Sequence, residues 1–200
     1  MKVIDLYSGL GGFSEAFVQD PNYQVIRIEN NPLLKEVPHT LLGDILEMNP
    51  RDPLFEGAEL ILASPPCRDF STAYGSPRSR AYRAGTHCDE YEPDMTLVQE
   101  AIRWKNIIKP KYFLMENVNG SQRYFRNLRI WPIMKHGPFV FYGNFPLFDM
   151  PPGWTHQKSE HDAWSSDPLR TNKKAKLPLE LSQKIKRTFE GQPTLGEWMQ

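Results

Sequence analysis

The stretch Val3-Ile4-Asp5-Leu6-Tyr7-Ser8-Gly9-Leu10-Gly11-Gly12-Phe13-Ser14-Glu15-Ala16-Phe17-Val18 decides the fold. Val3 to Tyr7 reads as a short apolar strand, the glycines as a tight turn, and Ser14 to Val18 as a helix. Strand, glycine turn and helix make the first unit of a Rossmann-like nucleotide site, because glycine permits sharp turning and close approach of backbone to ligand. Ser8, Gly9, Leu10, Gly11 and Gly12, with Tyr7 before them, are therefore candidate cofactor-binding residues. The pattern is not G-x-G-x-x-G, so a plain strand-to-helix turn accounts for it as well. Tyr23 to Ile28 reads as a second strand with Glu29 at its end. An acidic residue roughly 20 positions beyond such a loop is placed to bind ribose hydroxyls. Thr40 to Leu46 brings Asp44 and Ile45 to the next crossover. There a carboxylate can accept from an exocyclic amine, or can simply hold a turn.

A second stretch, Leu60-Ile61-Leu62-Ala63-Ser64-Pro65-Pro66-Cys67-Arg68-Asp69-Phe70-Ser71-Thr72, is a buried strand running into a rigid loop. Two prolines can neither continue a ladder nor enter a helix, so the chain turns and Cys67 sits at a strand's C-terminal end. In open α/β sheets that is the edge where ligands bind, although a free thiol also serves as a small buried hydrophobe. Tyr112-Phe113-Leu114-Met115 is another strand, ending at Glu116-Asn117-Val118. If the sheet is parallel, the strand ends at Tyr7, Cys67 and Glu116 open into one crevice.

The 200 residues suffice for one domain with a sizeable core, and 1–200 reads as a single unit. Lys plus Arg equals Asp plus Glu, 24 each, so a polyanionic partner has to be held by a local basic patch. Two such segments stand out. Tyr74 to Arg83 interleaves Arg78, Arg80 and Arg83 with Tyr74 and Tyr82, and Gln122 to Arg129 carries Gln122, Arg123 and Arg126 beside aromatics. Both suit phosphate contact and base stacking, and the first equally suits a mobile surface loop. Cys67 and Cys88 make no disulfide framework, and His87-Cys88 lacks a second pair at zinc spacing, so no metal is expected. No run is long and apolar enough to span a membrane, and Met1 leads directly into a strand, so a reduced, cytoplasmic setting is expected. Asp94 to Ile108 reads as an amphipathic helix with Leu97, Ala101, Trp104 and Ile108 on its core stripe. His136 to Pro146 reads as a strand bounded by turns, 146–172 as irregular, and Leu179 to Phe189 as a final helix with Pro178 at its first turn. The tail from Glu190 to Gln200 is expected to be loosely held.

Together, the segments Asp5 to Phe13, Ser64 to Ser71 and Glu116 to Val118 resemble the cytosine-5 DNA methyltransferases, matching that family's first, fourth and sixth motifs in order. Leu177 to Ser182 resembles the tail of the tenth, which returns to pack beside the first. The resemblance implies a Rossmann-like α/β fold, mostly parallel with helices on both faces, and S-adenosyl-L-methionine as methyl donor. It implies Cys67 as nucleophile within Pro66-Cys67, and Glu116 as its acidic partner within Glu116-Asn117. It places Tyr7, Gly9, Leu10, Glu29, Asp44 and Pro66 in the cofactor pocket, and Arg68 and Ser71 in the loop that meets the nucleic acid.

The chain departs from the family by having little room for a target-recognition domain around 146–172, and no Gln-x-Arg-x-Arg after Glu116. It is similar to compact, phage-type, restriction-modification-like members, expected to act as a monomer with short or relaxed sequence preference.

The expected chemistry is addition of the Cys67 thiolate to cytosine C6, which makes C5 nucleophilic. A cation such as Arg68 is expected to lower the thiol's pKa, and Glu116 to serve N3. The base has to be flipped out of a duplex or come from a single strand. The alternatives are the same chemistry on RNA, a non-catalytic nucleic-acid-binding relative, and a dinucleotide-dependent redox protein. The last is disfavoured by the missing G-x-G-x-x-G.

Overall fold

The computed structural model describes residues 1–87, 90–156 and 166–191. Seven strands form one sheet: β1 (Lys2–Leu6), β2 (Gln24–Glu29), β3 (Thr40–Leu42), β4 (Ala58–Ala63), β5 (Tyr112–Val118), β6 (Pro132–His136) and β7 (Phe139–Gly143). Their order is β3-β2-β1-β4-β5-β7-β6. β1 to β5 run parallel, and β7 runs antiparallel to both β5 and β6. This is the expected mostly parallel Rossmann-like fold. β4 occupies the centre, where a strand covered on both faces must be apolar throughout, as Ala58-Glu59-Leu60-Ile61-Leu62-Ala63 nearly is.

The strand alternation feeds two cores. Val3, Leu60, Leu62, Leu114 and Phe141 pack with Phe13, Phe17, Leu181, Ile185 and Phe189. These come from α1 (Glu15–Val18), its approach, and α6 (Leu179–Glu190). Ile4, Leu6, Ile61, Ala63, Phe113 and Met115 pack on the other face with Val98, Ala101 and Trp104 of α3 (Thr96–Ile108). Trp104 is fully buried, edge-on to Phe55 at 4.8 Å, and its indole N–H donates to Glu100 Oε1 at 3.0 Å. The remaining helices are α2 (Pro77–Arg83), α4 (Gln122–Phe125) and α5 (Arg170–Ala175).

Several expectations need correction. α3 starts at Thr96, because the Asp94 carboxylate accepts from the Thr96 N–H at 2.8 Å and stops the chain short of helix. Val98 joins Ala101 and Trp104 as fully buried, and Leu97 and Ile108 pack partly buried against the same core. The Tyr112 strand does not end before Glu116: β5 continues through Val118 because β7 pairs with it, Glu116 opposite Phe141. β6 was not foreseen, since Pro132-Ile133-Met134-Lys135-His136 lacks clear alternation and is half-buried at the edge. The basic segment after Cys67 is not a loop throughout, because Ser76 caps α2 by accepting from Ser79 N–H, with Pro77 at the first turn. Within 146–172, residues 157–165 lie outside the described residues, as do Cys88 and the tail beyond Gly191.

The register sets the site. Leu6 pairs with Ala63 and Ala63 with Met115. The next residue on each strand is Tyr7, Ser64 and Glu116, so three neighbouring strands deliver these side by side to one edge.

Candidate active site

At the end of β1 the backbone of Tyr7 turns into the left-handed region, φ +61°, a conformation costing a non-glycine residue about 1–2 kcal/mol. Its hydroxyl is anchored by donating to the Leu97 carbonyl at 2.7 Å. Gly9 follows with φ +54°, and the space where its Cβ would stand is open but for Asn172 Nδ2 at 3.8 Å. Glu29 holds this loop: its carboxylate accepts from Gly9 N–H at 2.8 Å and from Asn31 N–H at 2.8 Å. Ser8 is buried and its hydroxyl has no hydrogen-bond partner. Asp44 accepts from Leu46 N–H at 2.9 Å, the turn role weighed from sequence, and Ile45 beside it is buried.

Underneath lies a buried polar cluster that the sequence reading missed. Ser14 Oγ donates to Asp5 Oδ2 at 2.6 Å and accepts from Arg27 Nε at 2.8 Å. Arg27 also donates to the carbonyls of Gly11 at 2.7 Å and Pro38 at 3.1 Å. Burial pushes the Asp5 carboxyl up to about 6, against the pull of the Ser14 bond and the Arg27 charge. The signal was present: Asp5 and Arg27 are charges inside apolar strands, and they fall opposite each other in the β1–β2 register.

The Cys67 loop is pinned from two sides. Asn117, buried on β5, donates through Nδ2 to the Pro65 carbonyl at 2.9 Å. Arg78 Nη1 donates to the Phe70 carbonyl at 3.1 Å, and its guanidinium lies 5.3 Å from the Tyr82 ring and 5.5 Å from the Tyr124 ring. Phe70 is buried edge-on against Phe125 at 5.3 Å. Pro65 and Pro66 line a cleft of about 210 Å³ with Phe70, Leu97 and Val98.

The Ser64 hydroxyl donates to Glu116 Oε2 at 3.3 Å. Burial raises the Glu116 carboxyl to about 7, opposed only in part by that bond. Burial likewise pushes the Cys67 thiol up to about 11, and the Glu116 charge pushes it further in the same direction. The expectation that Arg68 lowers this thiol is corrected: the Arg68 guanidinium is exposed and faces Asp69 at 3.8 Å, and the charge felt by Cys67 is that of Glu116.

The nucleic-acid candidates divide. Arg78 is built into the Cys67 loop's support. Arg80 is exposed on α2, and Arg83 stacks on the exposed Tyr74 ring at 3.8 Å. Ser71 Oγ accepts from Ala73 N–H and Gln122 Nε2 donates to Asn119 Oδ1 at 2.7 Å, so both are engaged locally. Arg123 and Arg126 are exposed on the turn after β5. Among the described residues no cluster of three metal-ligating side chains occurs, and no helix is long and apolar enough to cross a membrane.

Fold and site together define a Rossmann-like α/β protein that presents a thiol and a carboxyl group beside a nucleotide-type loop. The family model for C-5 cytosine-specific DNA methylase matches residues 1–132, and the chain belongs to that family. The type II methyltransferase M.DdeI of Desulfomicrobium norvegicum is 28% identical over 133 residues, covering 60% of this chain and 28% of that protein. M.NgoFVII of Neisseria gonorrhoeae is 30% identical over 125 residues, covering 60% and 30%. The tRNA (cytosine(38)-C(5))-methyltransferase of Mus musculus is 31% identical over 137 residues, covering 61% and 29%. The matched region spans less than a third of the length of each of these relatives.

Proposed function

We propose that the protein methylates cytosine C5 in DNA through a covalent Cys67 adduct, using S-adenosyl-L-methionine. The observation that carries this reading is the meeting of the Pro66-Cys67 loop with Glu116, on adjacent strand ends, within reach of the glycine loop. The cofactor supplies an electrophilic methyl group when bound. The unpartnered Ser8 hydroxyl, the open space at Gly9 and the Glu29 carboxylate fit its polar end and ribose. Asp44 and Ile45 are assigned to the base, and Tyr7, Leu10, Gly11, Gly12 and Pro66 to the walls.

The Cys67 sulfur adds to C6 of the extruded base as its thiol proton passes to solvent, removing the ring's aromatic character and making C5 nucleophilic. Glu116, its carboxyl held near neutrality, donates to N3 as negative charge develops there. Once C5 has taken the donor's methyl group, the C5 proton passes to solvent, the C6–S bond breaks and the N3 proton returns to Glu116, restoring the ring. Asn117 acts as a positioning residue, holding the Pro65 carbonyl and so the loop. Arg80 and Arg83 meet phosphates, with Arg68 and Ser71 on the same loop and Gln122, Arg123 and Arg126 across the crevice. The chain works as a single domain and a monomer, with 146–172 as a reduced recognition region and sequence preference correspondingly short.

RNA is the second reading, favoured by the 31% identity to a tRNA enzyme. Transfer of labelled methyl groups to duplex DNA, single-stranded DNA and tRNA distinguishes the two. Labelling of DNA cytosine above tRNA is expected, and labelling of tRNA alone overturns the DNA assignment.

A further inference from the structure

We propose that the corner formed by α4 and the entry to β6 binds an unpaired DNA strand, with phosphates on Arg126 and Arg129 and one base stacked on Trp131. The proposal rests on the nucleic-acid reading above and specifies where the chain flanking the target base runs.

From Asn117 through Phe148 the sequence contains no Asp or Glu, in a chain whose charges balance overall at 24 of each sign. The same stretch carries Arg123, Arg126, Arg129 and Lys135, all exposed. α4 ends in a tight 3-10 turn over Arg126–Leu128. Residues three apart on such turns share a face, so Arg123 and Arg126 lie on one side while Tyr124 and Phe125 are buried on the other. Arg129 closes the turn in the left-handed region, φ +58°, with its N–H donating to the Arg126 carbonyl at 2.9 Å. Several lysines meet acids: Lys173 with Asp167, Lys176 with Glu15, Lys186 with Asp20 and Glu190. Among the described residues Arg126 and Arg129 make no ion pair.

Trp131 gives the patch its selectivity. The residue is 61% exposed, and the Arg126 guanidinium lies 5.7 Å from its ring centroid. An open indole beside a guanidinium is a platform for a base, and only an unpaired base has a face free to stack there. Phosphates on either side of that base fall to the arginines. The corner follows directly on the strand that carries Glu116, so a strand leaving the crevice reaches it within a few nucleotides.

The test uses the full chain and a short labelled oligothymidylate, followed by fluorescence anisotropy across a salt series. This probe holds no cytosine, so its binding is read apart from methyl transfer. A protein that binds it through Trp131 but methylates no nucleic acid refutes the function and leaves this site standing. W131A is expected to weaken binding roughly 5- to 150-fold, the range for losing one stacked base. W131F should keep most of the affinity and lose the quenching of tryptophan fluorescence expected of the wild type on binding. R126Q/R129Q should lower the salt slope by about 1.4, at about 0.7 per single-strand phosphate contact. Should W131A fail to fold, the latter two variants carry the test. Unchanged binding by W131A and R126Q/R129Q, or tighter binding of a matching duplex than of the single strand, overturns the proposal.

Discussion

The Ser64 hydroxyl, at the end of β4, donates to Glu116 Oε2 on the neighbouring strand at 3.3 Å, and this bond opposes the burial that lifts the carboxyl to about 7. Ser64→Ala removes the opposing influence, so the carboxyl should rise further. Because Glu116 acts as a donor, activity should fall on the alkaline side of its pKa. The variant should move that limb upward by about half to one pH unit, the size of one neutral hydrogen bond. A pH–rate profile checks this, and a downward shift would remove Glu116 as the acid.

The same carboxyl leaves a trace in stability. Its folded value, about 7, stands above its ordinary 4.5, so the stabilisation is complete below the unfolded value and is lost as pH rises through 7. The difference amounts to about 3 kcal/mol. Glu116→Gln should flatten the decline between pH 4.5 and 7 in urea denaturation. It should also slow methyl transfer less than loss of Cys67 does, since an amide still donates a hydrogen bond.

Arg27 supports the glycine loop from below. Arg27→Met deprives Asp5 of the cation it feels across Ser14 and leaves the Gly11 and Pro38 carbonyls without their donor, at about 1–3 kcal/mol for each buried group left unsatisfied. With Arg27 gone, the Asp5 carboxyl should climb above about 6 and stay protonated further into neutral pH. The stability deficit should therefore be larger at pH 8 than at pH 5, where Asp5 is mostly protonated in the fold. Equal deficits at both pH values would show that Arg27 acts through packing alone.

These pairs mark what the sequence made legible and what it did not. The parallel order and the shared strand edge were readable because β1, β4 and β5 are short apolar runs ending in glycine or proline. Cys67, Glu116 and Glu29 were readable for the same reason. The Asp5–Ser14–Arg27 cluster was hidden because a one-dimensional pattern does not show strand register, which alone sets Asp5 opposite Arg27. The support that Arg78 gives the Cys67 loop was hidden because composition does not reveal that Tyr82 and Tyr124 flank its guanidinium. The sign of the Cys67 shift was misjudged because adjacency of Arg68 in sequence says nothing of where its side chain points.

Glu29 binds the glycine loop through Gly9 and Asn31 and is assigned to the ribose. Glu29→Ala should weaken S-adenosyl-L-methionine binding by about 1–3 kcal/mol, the scale for a charged hydrogen bond. Calorimetry showing unchanged affinity in a folded variant would place the cofactor elsewhere.

Reading several base pairs needs an element in the major groove with side chains at base edges. On the proposed reading of 146–172 as a reduced recognition region, bisulfite sequencing of methylated DNA should show a short or relaxed target. Neutralising Arg80 and Arg83 together should weaken DNA binding alike at all sequences and lower the salt slope by about 1.8 on duplex DNA. Modification confined to one long, fully defined site would contradict this.

The central claim is covalent methyl transfer through Cys67, and mass spectrometry of DNA nucleosides after incubation with methyl-labelled S-adenosyl-L-methionine tests it most directly. The wild-type chain should place the label on cytosine C5. Cys67→Ser should place none there while binding the cofactor as tightly, because a hydroxyl without an adjacent base is a far weaker nucleophile. Comparable labelling of C5 by Cys67→Ser, or label on a different atom of the base, would contradict the account.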